Sequence, residues 1–253
     1  MNKKALELGL KNTNFVTPHG LDNESHYTTA LELAKITDYA LNIDIFKEIV
    51  KTKNYTVIIN GYPKNISNTN ELLGYLNGVN GVKTGFTNGA GRCLVTSIER
   101  DGLNIITVVL GADTKKIRTK DSINLIEYIY SNYEIVNLEN LIKEEYNKWL
   151  EINKNRIEIY KGKKVKVSVK LDDYKYKIYP VKKEEIKDII VKTQNTKLCF
   201  EAPLWQNQEV ALLKVCIGNE QLMNIKILTN EDVERKTIKD YFVELIMKVG
   251  KGI

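Results

Sequence analysis

An α+β protein in two domains is predicted from three features of the sequence. The first half carries stretches of 3.6-residue apolar periodicity, three β-type runs with glycine-bearing turns follow one another over residues 82–111, and from Ile157 onward apolar and polar residues alternate. A last helical face closes the chain.

Met1 to Leu8 reads as the end of an amphipathic helix closed by Gly9, with Lys11 to Pro18 as a polar connection and His19-Gly20-Leu21-Asp22 as a turn. Leu31, Ala34, Ile36, Ala40 and Leu41 form one stripe, which predicts a helix over Thr28–Leu41 capped by Thr28 or Thr29. A short helix over Ile45–Val50 follows. Tyr55–Asn60 is β-rich, and Gly61-Tyr62-Pro63 is expected to be a turn because proline cannot donate to a ladder. Asn68–Tyr75 is polar and expected to be irregular or briefly helical.

Val82–Phe86, Cys93–Glu99 and Leu103–Gly111 are expected as an antiparallel meander, joined by Asn88-Gly89-Ala90-Gly91 and Arg100-Asp101-Gly102. A helix over Thr119–Tyr133 brings Ile123, Ile126, Tyr128, Ile129 and Tyr130 to cover that sheet. Leu138–Leu150 continues as helix, and polar Asn153–Asn155 is read as a linker. The expected domains are therefore 1–152, a β-rich 153–233, and 234–253.

Val165–Leu171 and Ile189–Lys192 show the period of half-buried strands. In the last segment Ile238, Tyr241, Phe242, Leu245, Ile246 and Val249 fall on one helical face, bordered by Lys236, Lys239, Lys248 and Lys251.

Composition narrows the function classes. With 43% hydrophobic and 28% charged residues the chain is neither disordered nor membrane-spanning, and no run nears the roughly 20 apolar residues a spanning helix needs. A net charge of +6 suits an anionic partner, but Lys and Glu are interleaved as on an ordinary solvated surface. Aromatic platforms flanked by basic grooves are lacking, which argues against nucleic acid. Cys93, Cys199 and Cys216 have no metal-site spacing and an odd total, so they are read as buried, unpaired thiols, and neither metal nor cofactor is expected. The first ten residues lack the apolar run of a secretory signal.

Lys83-Thr84-Gly85 opens the expected meander. On an edge strand, the Lys83 ammonium pairs with a substrate carboxylate and the Thr84 hydroxyl bonds it, while Gly85 lets a peptide approach the backbone. An extended peptide then adds like a further strand, and the Phe86 N–H polarises the scissile carbonyl as half of an oxyanion hole. Lys-Thr-Gly is one element of the serine acyl-transferases related to class A β-lactamases, beside S-x-x-K and S-x-N.

Around it the sequence resembles the serine D-alanyl-D-alanine carboxypeptidases, the low-molecular-weight penicillin-binding proteins. The resemblance rests on Leu8 to Phe15, Gly20-Leu21, His26 to Ala30, Asn68 to Leu73, Gly78 to Thr87, Ala90 to Val95, Arg100-Asp101-Gly102, Val108 to Ala112 and Arg118, in that order. It implies part of a penicillin-binding, β-lactamase-like transpeptidase domain, followed by that family's small β-rich domain and a helix lying on a membrane. It further implies removal of the terminal D-alanine from peptidoglycan stem peptides through a serine acyl-enzyme, with β-lactams as mimics, in an extracytoplasmic, membrane-associated protein.

The chain departs from the family at the nucleophile. Ser25, Ser67, Ser97, Ser122, Ser131 and Ser168 are followed three positions later by Thr28, Asn70, Arg100, Leu125, Glu134 and Leu171, never by lysine. Ser122-Ile123-Asn124 spells S-x-N but follows the Lys-Thr-Gly strand on a predicted helix. No catalytic residue is therefore assigned, the family's serine and lysine belong upstream of the region matching Met1, and the chain is expected to be an N-terminally truncated form, inactive alone. It then serves as a non-catalytic module or as one half of a split enzyme. His19 and His26 are read as turn residues, Arg118 as either a carboxylate partner or a structural ion pair, and Asn80 as replacing a family acid.

Overall fold

The computed structural model describes residues 1–195 and 197–250; Lys251, expected to border the last helical face, lies outside the described residues. The chain forms two compact units, Met1–Tyr133 and Glu134–Ile253.

The first unit contains helices α1 (Asn2–Glu7), α2 (Ala30–Leu41) and α3 (Asp44–Lys51), the hairpin β1 (Asn54–Ile59) and β2 (Tyr62–Ser67), strands β3 (Val79–Thr87), β4 (Gly91–Arg100) and β5 (Leu103–Ala112), and helix α4 (Lys115–Asn132). Strands β3, β4 and β5 form an antiparallel sheet in that order, so β3 is an edge. Period-2 alternation sorts its side chains onto two faces. Leu94 and Ile98 meet Ile126 of α4 and Leu72, whereas Val82 and Val95 meet Val50 of α3 and Leu33 and Leu41 of α2. The Thr29 hydroxyl caps α2 by accepting the Glu32 N–H, and Thr114 starts α4 four residues ahead of expectation by accepting the Ile117 N–H.

One expectation for this unit is corrected. The turn is Asn60-Gly61, and Tyr62 and Pro63 belong to β2, where Pro63 faces Ile58; a two-stranded ribbon leaves room for a residue without an N–H on its outer side. Asn68–Tyr75 is irregular, as expected, and its middle joins the core: Leu72 and Leu73 are buried, and so is Asn70, whose side chain donates to the Gly81 carbonyl at 2.9 Å and accepts the Leu72 N–H at 3.1 Å.

The second unit holds β6 (Tyr133–Asn137), which begins on the last residue of the first, then α5 (Leu138–Asn153), β7 (Glu158–Tyr160), β8 (Val169–Leu171), β9 (Ile178–Lys182), β10 (Ile189–Asn195), β11 (Cys199–Glu201), β12 (Glu209–Ile217), β13 (Glu220–Thr229) and α6 (Ile238–Gly250). The main sheet runs β10-β12-β13-β8. Leu213, Val215 and Ile225 pack on Leu138 and Ile142 of α5, and Ala211 and Ile227 join Trp149, Ile157 and Phe200. Through these contacts α5 belongs to the second unit, so the compact units part ahead of the boundary drawn at residue 152. Asn153 is no linker residue: it is buried at the end of α5 and donates to the Trp149 carbonyl. Of Val165–Leu171, only the last three residues form a strand.

The cysteines are free, but Cys199 is exposed and the other two half-buried, in place of the buried thiols expected. Cys199 and Cys216 lie in different sheets. Among the described residues no helix is long and apolar enough to cross a membrane.

Candidate functional site

The edge strand β3 forms the floor of a cleft of about 1080 Å³ in the first unit. Lys83, Thr84, Gly85, Phe86 and Arg118, the residues singled out from sequence, all line it. They reach it by different routes.

Lys83 is exposed, and its ammonium donates to the Thr84 carbonyl. The Thr84 hydroxyl shares a 2.6 Å hydrogen bond with that of Thr69. The Phe86 ring lies under the Arg92 guanidinium, 3.6 Å from its centroid, a cation–π contact that fixes the end of the strand. A Cβ added at Gly85 would meet only Cys93 Cβ at 3.7 Å, an ordinary contact. The sheet thus tolerates a side chain there; what glycine keeps open is the cleft.

Arg118 is held differently. Its guanidinium is buried, with 4% of the side chain exposed, and Nη2 donates to both carboxylate oxygens of Glu71 at 2.7 and 2.6 Å. Thr119 also donates to Glu71, and the Lys115 ammonium lies 3.7 Å from it. Burial pushes the Glu71 carboxyl up, but the bonds from Thr119, its own backbone N–H and Arg118 outweigh this and hold it below the ordinary range. The structural ion pair anticipated for Arg118 is present, while Arg118 Nε is buried without a hydrogen-bond partner at the wall of the cleft.

The opposite wall comes from residues 18–28. It is tied to the β3–β4 hairpin by Asp22, whose carboxylate accepts the Gly89 N–H at 3.1 Å. Hydrogen bonds from the Thr87 side chain and from Gly89 hold that carboxyl below its usual value. A Cβ at Gly89 would lie 3.2 Å from the Asp22 carboxylate, so a side chain there would press on the latch by a few tenths of an ångström. The base of the wall is fixed by Glu32, which accepts the N–H groups of Lys11 and Asn12 and the Thr13 hydroxyl. His19 and His26 are turn residues: His19 Nδ1 accepts the Leu21 N–H, and His26 Nδ1 accepts the Val16 N–H. Ser122, of the misplaced S-x-N, is buried and bonds the Arg118 carbonyl within its own helix. The side-chain oxygen of Asn80 is buried without a partner. Among the described residues no cluster suited to a metal ion occurs.

Thr69, Glu71, Thr119 and Asp22 carry no assignment from sequence. The first two sit in the Asn68–Leu73 block that supports the family resemblance, which was their one signal; Asp22 had none.

The cleft thus joins an exposed ammonium, a paired hydroxyl and the outer edge of a sheet. Residues 1–114 match the family described as D-alanyl-D-alanine carboxypeptidase, and residues 145–235 match the penicillin-binding protein 5 C-terminal domain. The chain is similar to the D-alanyl-D-alanine carboxypeptidase DacF of Bacillus subtilis, with 30% identity over 245 residues covering 93% of this chain and 58% of that protein. It is 27% identical to DacA of Haemophilus influenzae over 256 residues, covering all of this chain and 61% of the relative. The structure matches penicillin-binding protein 5 from Haemophilus influenzae with a TM-score of 0.67 at 27% identity, covering 92% of this chain and 64% of that one. The chain belongs to the D-alanyl-D-alanine carboxypeptidase family, and it spans about three-fifths of the length of these relatives.

Proposed function

We propose that this chain supplies the substrate-gripping wall of a serine D-alanyl-D-alanine carboxypeptidase of peptidoglycan maturation. The observation that carries the reading is one cleft gathering Lys83, Thr84, Gly85 and Phe86 on a free sheet edge, with Arg118 at its wall. In this reading the terminal carboxylate of a stem peptide ending in D-Ala-D-Ala, or that of a β-lactam mimic, lies against the Lys83 ammonium and the Thr84 hydroxyl. The peptide extends along β3 and Phe86 N–H polarises the scissile carbonyl. The serine census favours a second component of the same reading: within these 253 residues the wall acts without its own nucleophile, as a binding module or as one half of a split enzyme.

Titration of the isotope-labelled chain with a peptide ending in D-Ala-D-Ala, followed by amide shifts, tests the grip. The free acid is expected to perturb Lys83 to Phe86, and the carboxamide to bind at least tenfold more weakly, the loss of about one charge-assisted contact. Equal binding of acid and amide would refute it. A fluorescent penicillin separates the two components: covalent labelling of the chain alone sinks the binding-module reading, and labelling only with a fragment bearing S-x-x-K and S-x-N supports the split enzyme.

We further propose extracytoplasmic attachment to an anionic membrane through α6. Its start is a reciprocal cap, the Asp240 carboxylate accepting Thr237 N–H at 2.7 Å and Thr237 Oγ1 accepting Asp240 N–H at 3.4 Å. Its apolar stripe has no cover, with Ile238 88%, Phe242 63% and Val249 64% exposed, and Lys239 and Lys248 lie on the same helix. A helix of this kind seats in a lipid interface with lysines at the head groups. The full chain is expected to sediment with anionic vesicles and a version ending at Glu234 to remain in solution; equal sedimentation would remove the attachment.

A further inference from the structure

We propose that Thr69 is a positioning residue for the carboxylate grip: its hydroxyl donates to Thr84 Oγ1 and so leaves the Thr84 proton for the ligand. This rests on the function proposed above and adds to it a residue outside the Lys-Thr-Gly strand.

Both hydroxyls lie in the lining of the cleft, and their oxygens are 2.6 Å apart. Each hydroxyl has one proton and two lone pairs, so only one of the two protons occupies the shared bond. Were Thr84 the donor, it would meet an anion with lone pairs alone. An anion in the cleft therefore selects the opposite direction, Thr69 donating to Thr84 and Thr84 donating to the ligand. A hydroxyl that accepts one hydrogen bond is a stronger donor in the next, so the pair works as a relay.

The arrangement is built in from behind. Thr69 itself is exposed, but its neighbour Asn70 is buried and fastens the segment to β3 through Gly81. Asn68 anchors the other side: its Oδ1 accepts the Asn70 N–H at 3.0 Å, and its Nδ2 donates to the Thr52 carbonyl at 3.1 Å. Glu71, one residue further on, fixes Arg118. Asn68, Asn70 and Glu71 thus tie the segment to three parts of the unit, and Thr69 between them is the one whose polar atom reaches the proposed contact.

The test uses the full chain with Thr69→Val, which keeps the shape and removes the hydroxyl, and Thr69→Ser, which restores it. Without ligand, three-bond couplings are expected to show one Thr84 rotamer in the parent and in T69S and averaging in T69V. With the D-Ala-D-Ala peptide, T69V is expected to bind the free acid about fivefold more weakly and the carboxamide unchanged, with T69S close to the parent. An unchanged Thr84 rotamer in T69V, or an equal loss for acid and amide, would overturn the proposal. If the parent itself fails to distinguish acid from amide, the function proposed above fails, and the ligand-free couplings still decide whether Thr69 positions Thr84.

Discussion

Glu71→Ala is expected to lower the unfolding free energy by about 3–5 kcal/mol, the cost of leaving a buried guanidinium without its counter-charge. Arg118 cannot shed its proton, its side chain is 4% exposed, and Glu71 is the carboxylate it pairs with. Because Arg118 Nε already lacks a partner, removing Glu71 strips the group of its strongest bonds. The pH dependence has a definite sign. Glu71 has a folded pKa below its ordinary value, so its contribution is complete above the usual glutamate pKa of about 4.3 and is lost as pH falls through the lower folded value. Urea unfolding at neutral pH should show the full loss, and the parent and E71A curves should converge in acid. A neutral-pH midpoint equal to the parent's would show that the ion pair is not structural.

The second large effect is on binding. Lys83→Ala is expected to weaken the free-acid D-Ala-D-Ala peptide about 10–100-fold, the range for removing a hydrogen bond to a charged partner. Lys83 is exposed, so thermal stability should not change. The carboxamide peptide should bind the variant and the parent alike. Unaltered affinity for the acid, measured by calorimetry, would assign the carboxylate to another group.

What could be read from the sequence was local. The meander was legible because β-branched runs and glycine turns specify their own period and connections, and α2 because Thr29 and its stripe lie within one window. Lys83, Thr84, Gly85 and Phe86 were legible as a group through a contiguous motif, and they share the lining of one cleft. Thr114 as a cap was overlooked because the residues after it are charged and hide the helix start. Burial of Asn70, Leu72 and Leu73 was illegible since the polar side chains around them satisfy one another and β3, a pattern indistinguishable from a solvated loop. The links that shape the cleft, Thr69 to Thr84, Glu71 to Arg118 and Asp22 to Gly89, span 15, 47 and 67 residues, and no local period encodes them.

That the floor of the cleft is the outer strand of a three-stranded sheet bears on how the site tolerates change. A guest that docks as an extra strand is read by main-chain amides, which no ordinary replacement deletes and only proline interrupts. In the function proposed above, side-chain variation along Val79–Thr87 would retune which terminal group is accepted while main-chain docking persists. Drift in sequence would then blunt selectivity for a mimic long before it abolished occupancy.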